Sequence, residues 1–389
     1  MGCHSIKLKI EPSILKYARF CSGYNVSEVA KKAGIEEEEL QKIETDKLEI
    51  SISKLKKLAS VYKMPLAYFL LEKTPKDAIL PDNFRVIYSS ENYGFTPGVM
   101  LAIRNARYVQ SIINNLSEKE FKYDFKEISI NYNVEEAAKY FRSLIKVPFE
   151  EQIKWSDPAV ALRNWKNAIE KINIFILQSS LPKENISAFC LADQLPYVVF
   201  LNSAEHENRR LFSLFHEIAH ILMHFSGICT VDDFSYNTYE YIKIEKFCNQ
   251  FAASLLVPYE EFISNQNVQE LKKIPFSDWK DENIEKIARK FKVSREVIYR
   301  RLVTVGILKE KRYEEKRREL IRGFESYNKK YKKNKNLRIP EYVKIISKNG
   351  KAYSSFILDN LHSNRITLND AAQYLNTNSR HISKVDFNI

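Results

Sequence analysis

The sequence predicts a mainly α chain with a small β-sheet, an α+β class, assembled from several parts. Three observations predict it. Apolar residues recur at spacings of three and four along much of the chain, as in amphipathic helices. Only a few apolar, β-rich runs interrupt them, chiefly residues 187–193 and 196–202. At 389 residues the chain is too long for one ordinary core, which predicts two or three domains. Composition excludes several classes. No apolar run reaches the eighteen or so residues needed to span a bilayer, and residues 1–15 lack the apolar core of a secretory signal. Nine glycines and no Gly-rich loop argue against a nucleotide-binding fold. Five cysteines (Cys3, Cys21, Cys190, Cys229, Cys248) are odd in number and lack C-x-x-C spacing, so they read as reduced thiols of a cytoplasmic protein without membrane contact.

Residues 11–75 form the first predicted domain. A helix over 14–21 is followed by a short helix to Ala33 that Ser27 caps, with Glu28 in its first turn. Gly34-Ile35 makes a tight turn into a third helix over 37–44. Helices over 53–62 and 66–71 complete the unit, the last begun by Pro65. Val26, Val29, Ala30, Ala33, Ile35, Leu40, Ile43, Leu55, Leu58 and Ala59 supply its core. This pattern resembles a phage-repressor-type helix-turn-helix domain. The resemblance implies that the third helix enters a DNA major groove, with Gln41, Lys42 and Lys47 as candidate DNA contacts. Glu36, Glu37, Glu38 and Glu39 suit a helix N-terminus but repel phosphates. DNA is therefore one expected partner, and protein docking the alternative.

Residues 76–133 read as a helical connector, with Phe84-Arg85 after Pro81 and a helical run over 98–116. A separate core domain is predicted over 134–265. It starts with amphipathic helices over 134–145 and 157–172, the second running into a strand. The apolar strand over 197–201 is a candidate edge for an added substrate strand.

The chemistry lies in Phe215-His216-Glu217-Ile218-Ala219-His220, an HExxH signature inside a helix-patterned run. Leu211, Leu214, Phe215, Ile218, Leu222 and Phe225 give one apolar face; Ser213, His216, Glu217, His220 and His224 give the other. Two imidazoles four residues apart stack on one helix face and converge on a single Zn²⁺, while Glu217 faces the open position. A catalytic zinc site needs a third protein ligand. Residues 240–258 form a second helix, stopped by Pro258, with Glu245, Cys248, Asn249, Ala252 and Leu256 on one stripe. Small side chains at Cys248, Ala252 and Ala253 allow close approach. Glu245 is the favoured third ligand, with Asn249 supporting from behind. His224, Asp232, Asp233 and Glu240 are its rivals; His224, a turn beyond His220, suits a supporting role better.

Taken together, Arg209 to His220 and Glu245 to Pro258 resemble the ImmA/IrrE family of metallo-endopeptidases. That family shows an arginine–aromatic approach to HExxH and then an E-x-x-[AC]-N-x-F-A-x-x-L-L-x-P helix. The likeness extends over roughly residues 134–310. It implies His216, His220 and Glu245 as zinc ligands and Glu217 as general base. It implies a zincin-like fold and a protein substrate of the repressor or antitoxin kind. The family has Gly where Ala188 stands, which implies a backbone position that wants positive φ. Tyr236, Tyr239 and Tyr241 are candidate oxyanion donors by position. The competing reading is a DNA-binding regulator or antitoxin with a structural or vestigial zinc site.

Residues 266–310 predict a second helix-turn-helix-like unit, with Val293-Ser294 as a cap and Arg295, Arg300 and Arg301 on its exposed side. Residues 311–389 predict a basic linker and a helical end piece with helices over 352–361 and 368–375. From 309 to 338 there are 13 Lys/Arg against 5 Asp/Glu, most of the chain's net charge of +12. Such a run attracts nucleic acid or an acidic partner, or is a solvated helix.

Overall fold

The computed structural model describes residues 7–46, 49–75, 79–81, 84, 95–118, 120–123, 125–182, 186–230, 239–331 and 339–389. The fold is mainly helical with two small sheets. Two compact units divide between Tyr108 and Val109.

The first unit starts with β1 (Lys7–Lys9), a strand outside the predicted boundary. Helices α1 (Pro12–Phe20), α2 (Val26–Ala33) and α3 (Glu37–Thr45) follow. Then come β2 (Glu49–Ser51), antiparallel to β1, helix α4 (Ile52–Tyr62) and a 3₁₀ turn over Leu66–Leu70. Asn25, not Ser27, caps α2. Its side chain accepts from Glu28 N–H while the Glu28 carboxylate accepts from Asn25 N–H, a complete capping box. Gly34 ends α2 at φ +62°, the left-handed conformation that glycine tolerates. Nine of the ten expected core residues are buried together, and Val26 packs against them. Arg19 clamps α1 to α3 through Glu44, its Nε donating to the carboxylate at 2.8 Å. In α3, Gln41 and Lys42 are exposed, as are Glu36, Glu37 and Glu38, and Glu39 pairs with Lys54. Lys47 lies outside the described residues.

Helix α5 (Pro97–Leu116) spans the division point. Within the second unit come α6 (Val134–Leu144), α7 (Phe149–Gln152), α8 (Pro158–Glu170), β3 (Phe175–Ser179), β4 (Ile186–Leu191) and β5 (Val198–Asn202). Next are α9 (Glu207–Leu222), β6 (Ile228–Thr230) and α10 (Tyr239–Leu256). Short helices α11 (Tyr259–Ile263) and α12 (Gln266–Lys272) lead to α13 (Asp281–Phe291), α14 (Arg295–Thr304) and α15 (Glu310–Tyr331). The chain ends in α16 (Glu341–Asn349), α17 (Lys351–His362), α18 (Leu368–Tyr374) and α19 (Ile382–Phe387).

The sheet order is β3-β5-β4-β6, with β3 parallel to β5 and the other pairs antiparallel. This corrects one expectation: β5 is an interior strand, hydrogen-bonded on both sides, so no substrate strand can add to it. Ala188 also departs from expectation. It lies in β4 beside a register shift against β6 and is not among the positive-φ positions. The irregularity is taken up by strand pairing, so the methyl group costs no backbone strain.

One core runs from Ile128 to Tyr313 and joins the predicted second helix-turn-helix-like unit to the domain predicted over 134–265. Ser294 caps α14 by accepting from Val297 N–H. Its arginines are not a free basic face. Arg301 is completely buried, donating to Glu135 at 2.7 Å from α14 to α6 and to Ser254 Oγ at 2.8 Å on α10. Arg300 lies over Phe212 and Tyr313, and Arg295 pairs with Asp281 and Glu285. A buried guanidinium needs a partner carboxylate, and this one is far away in sequence.

The C-terminal helices pack on the β3 edge. The Gln178 side chain reaches Ser347 of α16, and Glu170 accepts from the N–H groups of Lys351 and Ala352 at the start of α17. A carboxylate there satisfies orphan donors and complements the helix dipole. Among the described residues, no helix is long and apolar enough to cross a membrane.

Candidate metal centre

Helix α9 places the HExxH side chains in the interior. His206 caps it by accepting from Asn208 N–H, and from Leu211 to Leu222 all but Phe212 are buried. Phe215 meets Trp165 of α8 edge to face at 4.9 Å, which fixes the rotation of α9. With that face against the core, His216 and His220 turn toward α10. Helix α10 approaches closely because Cys248, Ala252 and Ala253 are small and buried. Its last carbonyls are held as well: Arg142 donates to Leu255 O at 2.8 Å and Gln152 to Leu256 O at 2.9 Å. A cation at a helix C-terminus is favourable, though burial brings the Arg142 guanidinium down to about 10.

The two helices bring three donors together. His216 Nε2 lies 3.1 Å from one Glu245 oxygen, and His220 Nε2 lies 3.2 Å from the other. The two Nε2 atoms are 3.2 Å apart. Ligand atoms of a tetrahedral zinc ion, with bonds of about 2.0–2.1 Å, stand about 3.3 Å from one another. The donor set and spacing therefore fit such an ion. Asn249 Oδ1 lies 3.2 Å from His216 Nδ1, where it accepts the ring proton and leaves Nε2 as the free donor. Burial opposes ionisation of Glu245, but the two imidazoles hold its carboxyl well below the usual carboxylate range.

Glu217 is different. It is completely buried, and among the described residues neither carboxylate oxygen has a hydrogen-bond partner of ordinary geometry. Burial raises its carboxyl above the ordinary value, with His220 and His216 pulling the other way. A bare carboxylate in an apolar interior is costly unless something charged or polar faces it. The thiol of Cys190, itself buried and raised well above its usual range by burial, is a neighbour that acts on it.

Residues 169–303 match the family model of the IrrE N-terminal-like domain, peptidase family M78, and residues 22–69 match a helix-turn-helix model. The chain carries an IrrE-type peptidase domain and an N-terminal helix-turn-helix. No curated protein and no solved structure matches it.

Within the IrrE-type domain the remaining expected positions divide. His224 is not on α9: the helix ends at Leu222, His224 has φ +51°, and its Nδ1 lies 2.7 Å from the Tyr197 hydroxyl. Tyr239 is largely exposed, whereas Tyr241 packs its ring on Phe225 with its hydroxyl buried. Asp232, Asp233 and Tyr236 lie outside the described residues, as does the side chain of Glu240.

One contributor was read in sequence only as a small side chain, and another was not singled out at all. Cys248 brings its sulfur within 4.8 Å of donor nitrogens of both histidines. Gly227, beside β6, leaves no room for a side chain: a Cβ there stands 2.4 Å from His220 Cδ2 and 2.7 Å from Nε2. A close approach of this kind demands glycine. Gly227→Ala should therefore displace the His220 ring and weaken zinc binding about 10–100-fold, the usual effect of disturbing a ligand's support. Competition against a chromophoric chelator measures it, and unchanged affinity would remove Gly227 from the site.

Proposed function

We propose that this chain is a zinc-dependent endopeptidase that cleaves a cognate regulatory protein of the repressor or antitoxin kind. His216, His220 and Glu245 hold the ion, and Glu217 is the general base. The observation that carries this reading is the convergence of the three donors beside a buried, unpartnered carboxylate. A purely structural zinc site has no use for that fourth group. Bound there, zinc supplies Lewis acidity: it polarises a peptide carbonyl and makes a neighbouring water more acidic. Glu217 takes the proton from the attacking water and passes it to the departing amine nitrogen. Asn249 keeps His216 in the ligating tautomer. The resemblance to the ImmA/IrrE family and the helix-turn-helix match at residues 22–69 support that substrate class. Incubation of the zinc-loaded chain with a proteome-derived peptide library tests the activity: the wild type should cut a narrow set of bonds, and Glu217→Gln none.

The helix-turn-helix match favours a second reading, a DNA-binding regulator with a non-catalytic zinc site. The exposed face of α3 carries Glu36, Glu37 and Glu38 beside Gln41 and Lys42, which weakens phosphate contact. Titration against duplex DNA at several salt concentrations should give weak binding with a shallow salt slope. A steep slope with sequence preference would favour the regulator.

A further inference from the structure

The stripe of α10 that carries Glu245 delivers another soft donor to the same place. Cys248 follows Glu245 by three residues, so both side chains leave one face of the helix. Cys248 is completely buried and outside any disulfide, and its Sγ comes within 4.8 Å of donor nitrogens of His216 and His220. Independently, Glu217 lies completely buried next to His216, and among the described residues neither of its oxygens has a hydrogen-bond partner of ordinary geometry. Such a pocket, with two imidazoles, one carboxylate and one thiol, is suited to a thiophilic dication.

Resting on the metal-centre reading above, we propose that Cys248 Sγ is a fourth protein donor to the ion, giving a His₂GluCys set in the resting chain. As the metal–sulfur bond forms, the S–H bond breaks and its proton leaves to solvent. A zinc–sulfur bond of about 2.3 Å requires Sγ to stand about 3.6 Å from the ligating nitrogens. Two consequences follow. A thiolate makes the set softer, favouring zinc over magnesium or manganese. Bound to the ion, it would also take up a coordination position, and Cys248 would have to leave the ion before cleavage begins.

Cobalt(II) in place of zinc, in the full chain, tests the assignment without using activity. The wild type should bind cobalt tightly and show a near-ultraviolet thiolate-to-cobalt charge-transfer band. The band should vanish in Cys248→Ala and Cys248→Ser and persist in Cys190→Ala, with cobalt stoichiometry unchanged throughout. Bound cobalt without the band in the wild type, or a band that survives both Cys248 substitutions, overturns the proposal while leaving the His216–His220–Glu245 centre intact. A wild type that binds no cobalt overturns both.

Discussion

Glu217→Gln should lose about 10²–10⁴-fold in peptide cleavage, the range that a positioned general base contributes, while keeping its full complement of zinc. The amide has nearly the same volume as the carboxylate, so packing at this completely buried position survives. It has no basic oxygen able to take a proton from water. Because Glu217 is not one of the three converging donors, metal affinity should stay near the wild-type value. His220→Ala, by contrast, removes a ligand and should lose both zinc and cleavage. Parallel measurement of zinc content and single-turnover cleavage separates the two variants. Wild-type cleavage by Glu217→Gln would remove the base from the mechanism.

Glu135→Ala should destabilise the peptidase unit by about 3–5 kcal/mol, the usual cost of stranding one member of a buried pair. Arg301 is fully enclosed, and without Glu135 its guanidinium keeps only the Ser254 hydroxyl among the partners described above. Arg301→Met should cost less, because Glu135 is about one-third exposed and can turn to water. The asymmetry is diagnostic: a surface ion pair contributes only about 0–1 kcal/mol from either side. All three tryptophans (Trp155, Trp165, Trp279) lie in the second unit, so urea unfolding followed by tryptophan fluorescence reports on it separately. A loss below about 1 kcal/mol for Glu135→Ala would mean that Arg301 finds another partner. The pair also ties α6 and α14 to Ser254 on α10, so its loss should loosen the helix that carries Glu245.

Local pattern made part of this molecule legible in sequence. The core of the first unit was readable because helical periodicity and the Gly34 turn agree. The capping box at Asn25 was readable too, from a Glu three residues on, yet Ser27 looked equally good by residue type. The convergence of Glu245 with His216 and His220 follows from two helical stripes with small residues between them. What sequence could not supply is long-range. Arg301 has the spacing of an exposed arginine and is buried because its carboxylate partner lies on a distant helix. The strand over 198–202 reads the same whether it is an edge or a centre; crossover topology decides. Gly227 matters only because β6 presses against α9, and it sits in no motif that announces a contact, whereas Cys248 sits in the E-x-x-[AC]-N stretch and read there only as a small residue. The helices over 341–349 and 382–387 went unread, and the packing of α16 on β3 depends on contacts that no local pattern encodes.

The central claim is that three side chains from α9 and α10 grip one divalent ion. Elemental analysis of the purified full chain after exhaustive dialysis measures it most directly. The wild type should retain a single zinc ion per chain, and the His216→Ala/His220→Ala/Glu245→Ala variant, folded by circular dichroism, should retain none. Zinc retained equally by both proteins, or absent from a zinc-supplemented wild type, would contradict the account.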